Sequence, residues 1–262
     1  MRVGYAQIKP CIGNKKLNLE TTFWAVEEAA GLGADLLVLP ELCTTGYAFR
    51  DREEAKKLAE PVPGPTTNSW AEKTREHGMY MVAGICEIDG NKLFNTAVLV
   101  GPHGFVGKYR KTHLFLDEKE IFTPGNSLSE VYTLPEMGAR VGILICFDWV
   151  FPEVARTLAL AGAEILCQPA NLVLEYCPLV MRARSIENRV YTITSNRIGE
   201  ERGLRFIGKS QVTDVRGEIL VSSPSDVAEV KVVEIDPNQA RDKYITPKNH
   251  LFNDRRTEIY NL

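Results

Sequence analysis

The sequence contains no C-x-x-C pair, no cysteine–histidine zinc spacing and no apolar stretch near the roughly 20 residues that span a bilayer. These absences argue against a zinc module, a dithiol redox motif and a membrane helix. No metal and no cofactor is expected. The opening MRVGYAQIKP lacks the apolar core of a secretory signal. Basic residues are not in excess either. Lys and Arg number 31 against 34 Asp and Glu, a net charge of -3, so nucleic acid is not an expected partner. The short run KYRK (108–111) is read as a solvated loop. Six cysteines (Cys11, Cys43, Cys86, Cys146, Cys167, Cys177) are dispersed, as expected of reduced thiols in a cytoplasmic protein.

What is present is ample apolar content. At 44% hydrophobic over 262 residues, the chain can bury one large core, and residues 1–262 are read as a single domain. Residues 3–7 form a short strand candidate. Asn14 can cap a helix with Leu19, Phe23, Val26 and Ala30 on its inner face, ended by Gly31 and Gly33. The run DLLVLPE (35–41) suits a strand buried on both sides. PVPGP (61–65) reads as a surface loop, 67–77 as a helix and 80–86 as another strand. Asp89-Gly90 and the turn at 101–104 suggest hairpins. After VGILI (141–145), Pro152 and Glu153 suit a helix start, with Val154, Leu158 and Ala161 on one face and Gly162 closing it.

The chain also echoes itself. GADLLVLPEL (33–42) resembles GAEILCQPAN (162–171), and each follows a helix that itself follows a Val-Gly strand. Tyr80 and Tyr191 both open extended segments. Two such halves related by a pseudo-twofold axis, sheet against sheet with helices outside, would bury these runs on both sides.

In α/β architectures ligands bind beyond the carboxyl ends of strands. Cys146 stands at one such end, Glu41 at another, and Lys111 after the extended run 105–110. Singly, each has an ordinary explanation: a buried thiol, a capping acid, a surface cation. Together they suffice for covalent hydrolysis. Glu41 can take the thiol proton, Lys111 can hold an oxyanion, and the Phe147 backbone N–H can assist. A phosphate-binding Cys-x5-Arg loop is absent, because Pro152 occupies the arginine position. His113, beside Lys111, is the one rival base among four histidines. It is read as a structural neighbour.

These residues resemble the nitrilase superfamily of carbon–nitrogen hydrolases. LPEL with Gly46-Tyr47 resembles its glutamate motif, KYRKTHLF its lysine motif and GILICFDWVFPE its cysteine motif. GAEILCQPAN, RARSIENRVY and the closing DRRTEIY are also similar, with Thr257 where a proline is usual. The resemblance implies a four-layer α-β-β-α sandwich that pairs into a homodimer or higher oligomer. It implies Glu41 as general base, Lys111 as the lysine that polarises the intermediate and Cys146 as nucleophile. A second glutamate is expected at Glu118, with Asp117 and Glu120 in competing registers.

Phe147, Trp149, Asn171 and Tyr47 are expected to bind substrate, although each also suits a wall, core or turn role. Asp148 is read as bonding local backbone. Arg182, Arg184, Glu187, Asn188 and Arg189 are read as a helix with exposed ion pairs, which contribute little. The aromatic tail, 248–262, is expected to dock near a partner subunit. The reading is an amidase for a small molecule. The alternatives are a nitrilase, turning a nitrile into acid and ammonia, and a silent scaffold of the same fold.

Overall fold

The computed structural model describes residues 1–260; Asn261 and Leu262, the end of the tail, lie outside the described residues. Strand β1 (Arg2–Gln7) is buried after its first residue. Asn14 then caps α1 (Lys15–Gly31) by accepting the Leu17 N–H. The buried stripe of α1 is Asn18, Thr22, Ala25, Val26 and Ala29, so the helix is turned from the expected face. Leu19, Phe23 and Ala30 are only partly buried. The polar pair tolerates the deepest positions because its hydrogen bonds are made. Asn18 donates to the Cys11 and Thr44 carbonyls, and Thr22 accepts the indole N–H of Trp70.

The first half continues through β2 (Leu36–Val38), α2 (Arg52–Leu58), α3 (Pro65–His77), β3 (Tyr80–Asp89), β4 (Lys92–Gly101), β5 (Gly104–Arg110) and α4 (Glu118–Ile121). The 61–65 segment is less superficial than expected. Val62 is buried, and a Cβ on Gly64 would lie 2.1 Å from the Pro61 oxygen. The second half runs β6 (Tyr132–Leu134), β7 (Ala139–Ile143), α5 (Pro152–Leu160), β8 (Ile165–Ala170), α6 (Cys177–Asn188) and β9 (Tyr191–Asn196). A hairpin of β10 (Ile198–Glu201) and β11 (Leu204–Ile207) precedes β12 (Gln211–Thr213), β13 (Ile219–Ser222) and β14 (Glu229–Glu234). A short helix, α7 (Asn238–Arg241), leads into the closing hairpin of β15 (Tyr244–Thr246) and β16 (Asn249–His250).

Two six-stranded sheets result, ordered β14-β1-β2-β3-β4-β5 and β13-β12-β9-β8-β7-β6. Both contain a parallel trio, β1-β2-β3 and β7-β8-β9, flanked by antiparallel strands. Read from opposite ends, the two orders match strand for strand, which is the pseudo-twofold arrangement. On β2, successive side chains take opposite faces. Leu36 and Val38 enter the core between the sheets, while Leu37 enters the core under α1 and α3. Val154 and Leu158 of α5 pack on the other sheet. The fold is therefore a four-layer α-β-β-α sandwich. No described helix is long and apolar enough to cross a membrane.

Candidate active site

The chain leaves β2 through Leu39-Pro40 and turns sharply, with Leu42 at φ 48°. Strand β3 lies so close that a Cβ on Gly84 would come within 2.5 Å of the Glu41 Cα. Only glycine fits there. Oε1 of Glu41 accepts from the Lys111 Nζ at 2.7 Å and from the Asn95 Nδ2 at 2.7 Å. Its Oε2 is buried and has no hydrogen-bond partner among the described residues. Lys111, just past β5, is held by its backbone N–H on the Asn95 carbonyl. Its ammonium also donates to Oε1 of Glu118 at 2.7 Å. That oxygen accepts the Tyr47 hydroxyl at 2.8 Å, and Oε2 accepts the Phe115 N–H. Of the three acids considered for the second glutamate, Glu118 is buried and touches Lys111, whereas Asp117 and Glu120 are exposed.

Cys146 opens a tight helical turn, Cys146–Val150, at φ 41°. A non-glycine residue there carries strain of about 1–3 kcal/mol, a recurrent feature of reactive positions. The turn is held from several sides. Oδ2 of Asp148 accepts the Ile145 N–H and the Tyr109 hydroxyl, and Gln168 donates to the Cys146 carbonyl. Arg184 donates to the carbonyls of Trp149 and Val150. The expected local ion pair on α6 forms, Arg184 to Glu187 at 2.9 Å, but Arg184 is 8% exposed rather than on the surface, and its guanidinium also holds the Cys146 turn.

Burial and the neighbouring Glu41 charge push the Cys146 thiol well above its ordinary range, against the pull of Lys111. A thiol raised in this way would need a base to act as a nucleophile. Burial alone would lower Lys111, but Glu118 and Glu41 outweigh it and hold the ammonium charged. Glu118 is pushed up to about 7, first by burial and then by Glu41, with Lys111 opposing.

A narrow, open recess borders Cys146, lined among others by Phe147, Trp149 and Asn171. Asn171 donates from Nδ2 to the Glu41 carbonyl at 2.9 Å, and its buried Oδ1 has no hydrogen-bond partner among the described residues. Tyr47 is not among the residues around that recess. It lines a separate cavity beside Glu118, so its tie to the site runs through its hydroxyl. His113 bonds Asp148 at 2.7 Å and stacks on Phe151, apart from the Glu41–Lys111–Glu118 cluster. Sequence reasoning missed Asn95, Gln168 and Arg184. Asn95 had a signal: it is a lone amide within the apolar run of β4.

The family model for carbon-nitrogen hydrolases matches residues 2–244. The chain is 48% identical to a nitrilase of Pyrococcus abyssi (strain GE5 / Orsay) over 99% of each chain. It is 34% identical to an (R)-stereoselective amidase of Pseudomonas sp, covering 92% of this chain and 87% of that one. It also matches the structure of a variant of the amidase from Nesterenkonia sp. AN1, at TM-score 0.83 and 25% identity, covering 98% and 94%. That structure shows covalent addition of the acetamide moiety of fluoroacetamide at the active-site cysteine. The chain belongs to the carbon–nitrogen hydrolases of the nitrilase superfamily.

Proposed function

We propose that this hydrolase is an amidase for small aliphatic amides, acting in the cytoplasm as a homodimer or higher oligomer, with Cys146 as nucleophile. One observation carries the reading: a buried ammonium sits between two carboxyls, one of which keeps a free oxygen. Sγ of Cys146 attacks the carbonyl carbon while its proton passes to Oε2 of Glu41. A lysine ammonium has three hydrogens. Two are engaged by Glu41 and Glu118, and the third is left for the oxyanion, assisted by the Phe147 N–H. The C–N bond then breaks, and ammonia departs with the proton held by Glu41. Glu41 next removes a proton from water, which attacks the thioester, releases the acid and restores the thiol.

Oδ1 of Asn171, a buried acceptor beside the recess, favours an amide: an amide nitrogen brings N–H donors and a nitrile brings none. The nitrile reading also has support, from the likeness to the Pyrococcus abyssi nitrilase. Ammonia release from matched pairs (propionamide and propionitrile, butyramide and butyronitrile) separates the two. Faster amide turnover is expected. Turnover of the nitriles alone would overturn the amidase assignment.

A further inference from the structure

The hairpin β10–β11 belongs to the second half of the chain, yet its tip grips the loop that follows Glu41. Oε1 of Glu201 accepts the backbone N–H groups of both Tyr47 and Ala48 at 2.7 Å. Oε2 pairs with Arg197 at 2.7 Å, and that guanidinium also reaches the Pro10 carbonyl. Glu201 and Arg197 are almost fully buried, at 5% and 1% exposure. Arg197 lies 4.2 Å over the Phe206 ring, which meets Tyr47 edge-on at 6.0 Å. Gly46 makes room, since a Cβ there would come 2.9 Å from Oε2 of Glu201 and 2.6 Å from the Ile12 Cα. The next residue, Arg202, donates to the Ala48 carbonyl and pairs with Glu54. Three of the four backbone polar groups of the short Tyr47–Ala48 link are thus tied to one hairpin tip, and the fourth, the Tyr47 carbonyl, accepts the Phe49 N–H.

From this arrangement we infer that Glu201 is a positioning residue for hydrolysis: it fixes Tyr47, whose hydroxyl orients Glu118 and through it Lys111. Two carboxylate-accepted N–H bonds are charge-assisted, hence strong and directional. A buried ion pair adds little net stability over an apolar pair, so stability alone gives weak reason to bury one here. Placement gives a better one. Misplacing a catalytic group by ~1 Å costs about 10²-fold in rate. The Tyr47 hydroxyl also helps keep Glu118 ionised. Loosening it moves the protonation of Glu118, and the fall in activity that follows, to higher pH.

The inference rests on the Cys146 reading but not on the identity of the substrate. The test therefore reads two quantities: kcat on the fastest amide of the screen, and the pH-dependent rate of iodoacetamide alkylation at Cys146, mapped by peptide mass. Glu201→Gln leaves Arg197 without its charge partner, so folding is protected by working on an Arg197→Met background. There, Glu201→Leu removes the acceptor and Glu201→Gln retains it. The expected result is a fall in kcat of ~10–100-fold for the leucine variant. KM should change little, and the acid limb of both profiles should move to higher pH. The glutamine variant should recover most of the loss. Adding Tyr47→Phe should cost the leucine variant little more, because both act through one hydroxyl. Equal losses for leucine and glutamine, or full additivity with Tyr47→Phe, would overturn the inference. If amide turnover is absent while the alkylation profile still shifts, the substrate reading fails and the positioning role stands.

Discussion

The two halves share a frame and differ in what they place at its strand ends. Pairing registers align Val3 with Val141, Leu36 with Ile165 and Tyr80 with Tyr191. Counting along from these, Cys146 falls where the first half has the buried, inert Ile8, and Glu41 falls where the second half has Ala170. Gly84, which admits the Glu41 turn, corresponds to Ser195, whose hydroxyl instead donates to the Ala6 carbonyl. The outer strands differ too. β4 and β5 are 10 and 7 residues long and carry Asn95 and Lys111 to the site, whereas β12 and β13 have only 3 and 4 residues. The lesson is a division of labour. On the proposed mechanism, one half supplies the base and the cation and the other the nucleophile, and the near-symmetric frame brings their strand ends together.

The most severe way to break this division is to remove the nucleophile. Cys146→Ala should abolish both turnover and the acyl adduct seen by intact-mass spectrometry. Alanine at Cys43, Cys86 or Cys167 should leave both intact. Burial raises all three of these thiols, Cys43 and Cys86 to about 12, and none joins the Lys111 cluster. An adduct that persists in Cys146→Ala would contradict the assignment.

Removing the first half's contribution should cost less, but still a great deal. Glu41→Gln loses the base, worth about 10²–10⁴-fold, and Lys111→Met loses the oxyanion donor, worth roughly 10²–10³-fold. Stopped-flow or quench-flow kinetics of ammonia release measures both. Gly84→Ala sharpens the comparison further. Its new Cβ would strike the Glu41 backbone, so activity should fall with every catalytic group still present. Alanine at the matching Ser195 should lose only a hydrogen bond, about 1 kcal/mol of stability by thermal melting.

A smaller effect follows from Glu118. With its carboxyl pushed up to about 7, acid neutralises the group that holds Lys111, so kcat should fall as pH drops through that value. Stability should run the other way. A carboxyl whose folded pKa is raised favours the folded state most below its ordinary range, and that contribution is lost as pH rises through about 7. Relative to Glu118→Gln, the wild type's melting temperature should therefore decline between about pH 5 and pH 8.

Much of this was legible in the sequence, for identifiable reasons. The buried runs around Leu37 and Ile143 announce parallel strands, since both faces are covered. Asn14 and Pro152 mark helix starts by local chemistry that needs no partner. Glu41, Lys111 and Cys146 stood out because each ends an extended run. What was not legible depends on contacts between distant segments. The rotation of α1 turns on Asn18 reaching Thr44 and Thr22 receiving Trp70. The function of Arg184 depends on α6 lying against the Cys146 turn, which spacing within the helix cannot reveal. Gly84 reads as one more small residue in MVAGI until the Glu41 backbone is seen against it.

The central claim is that the two halves meet chemically through Glu41 and Cys146, with His113 serving only to brace Asp148. Single-turnover acylation of Cys146, compared across Glu41→Gln and His113→Asn at several pH values, tests it most directly, with thermal melts confirming that both variants fold. The account predicts a loss of about 10²–10⁴-fold for Glu41→Gln and no more than a few-fold for His113→Asn. A severe His113→Asn beside a mild Glu41→Gln would make the site a cysteine–histidine device and contradict the account.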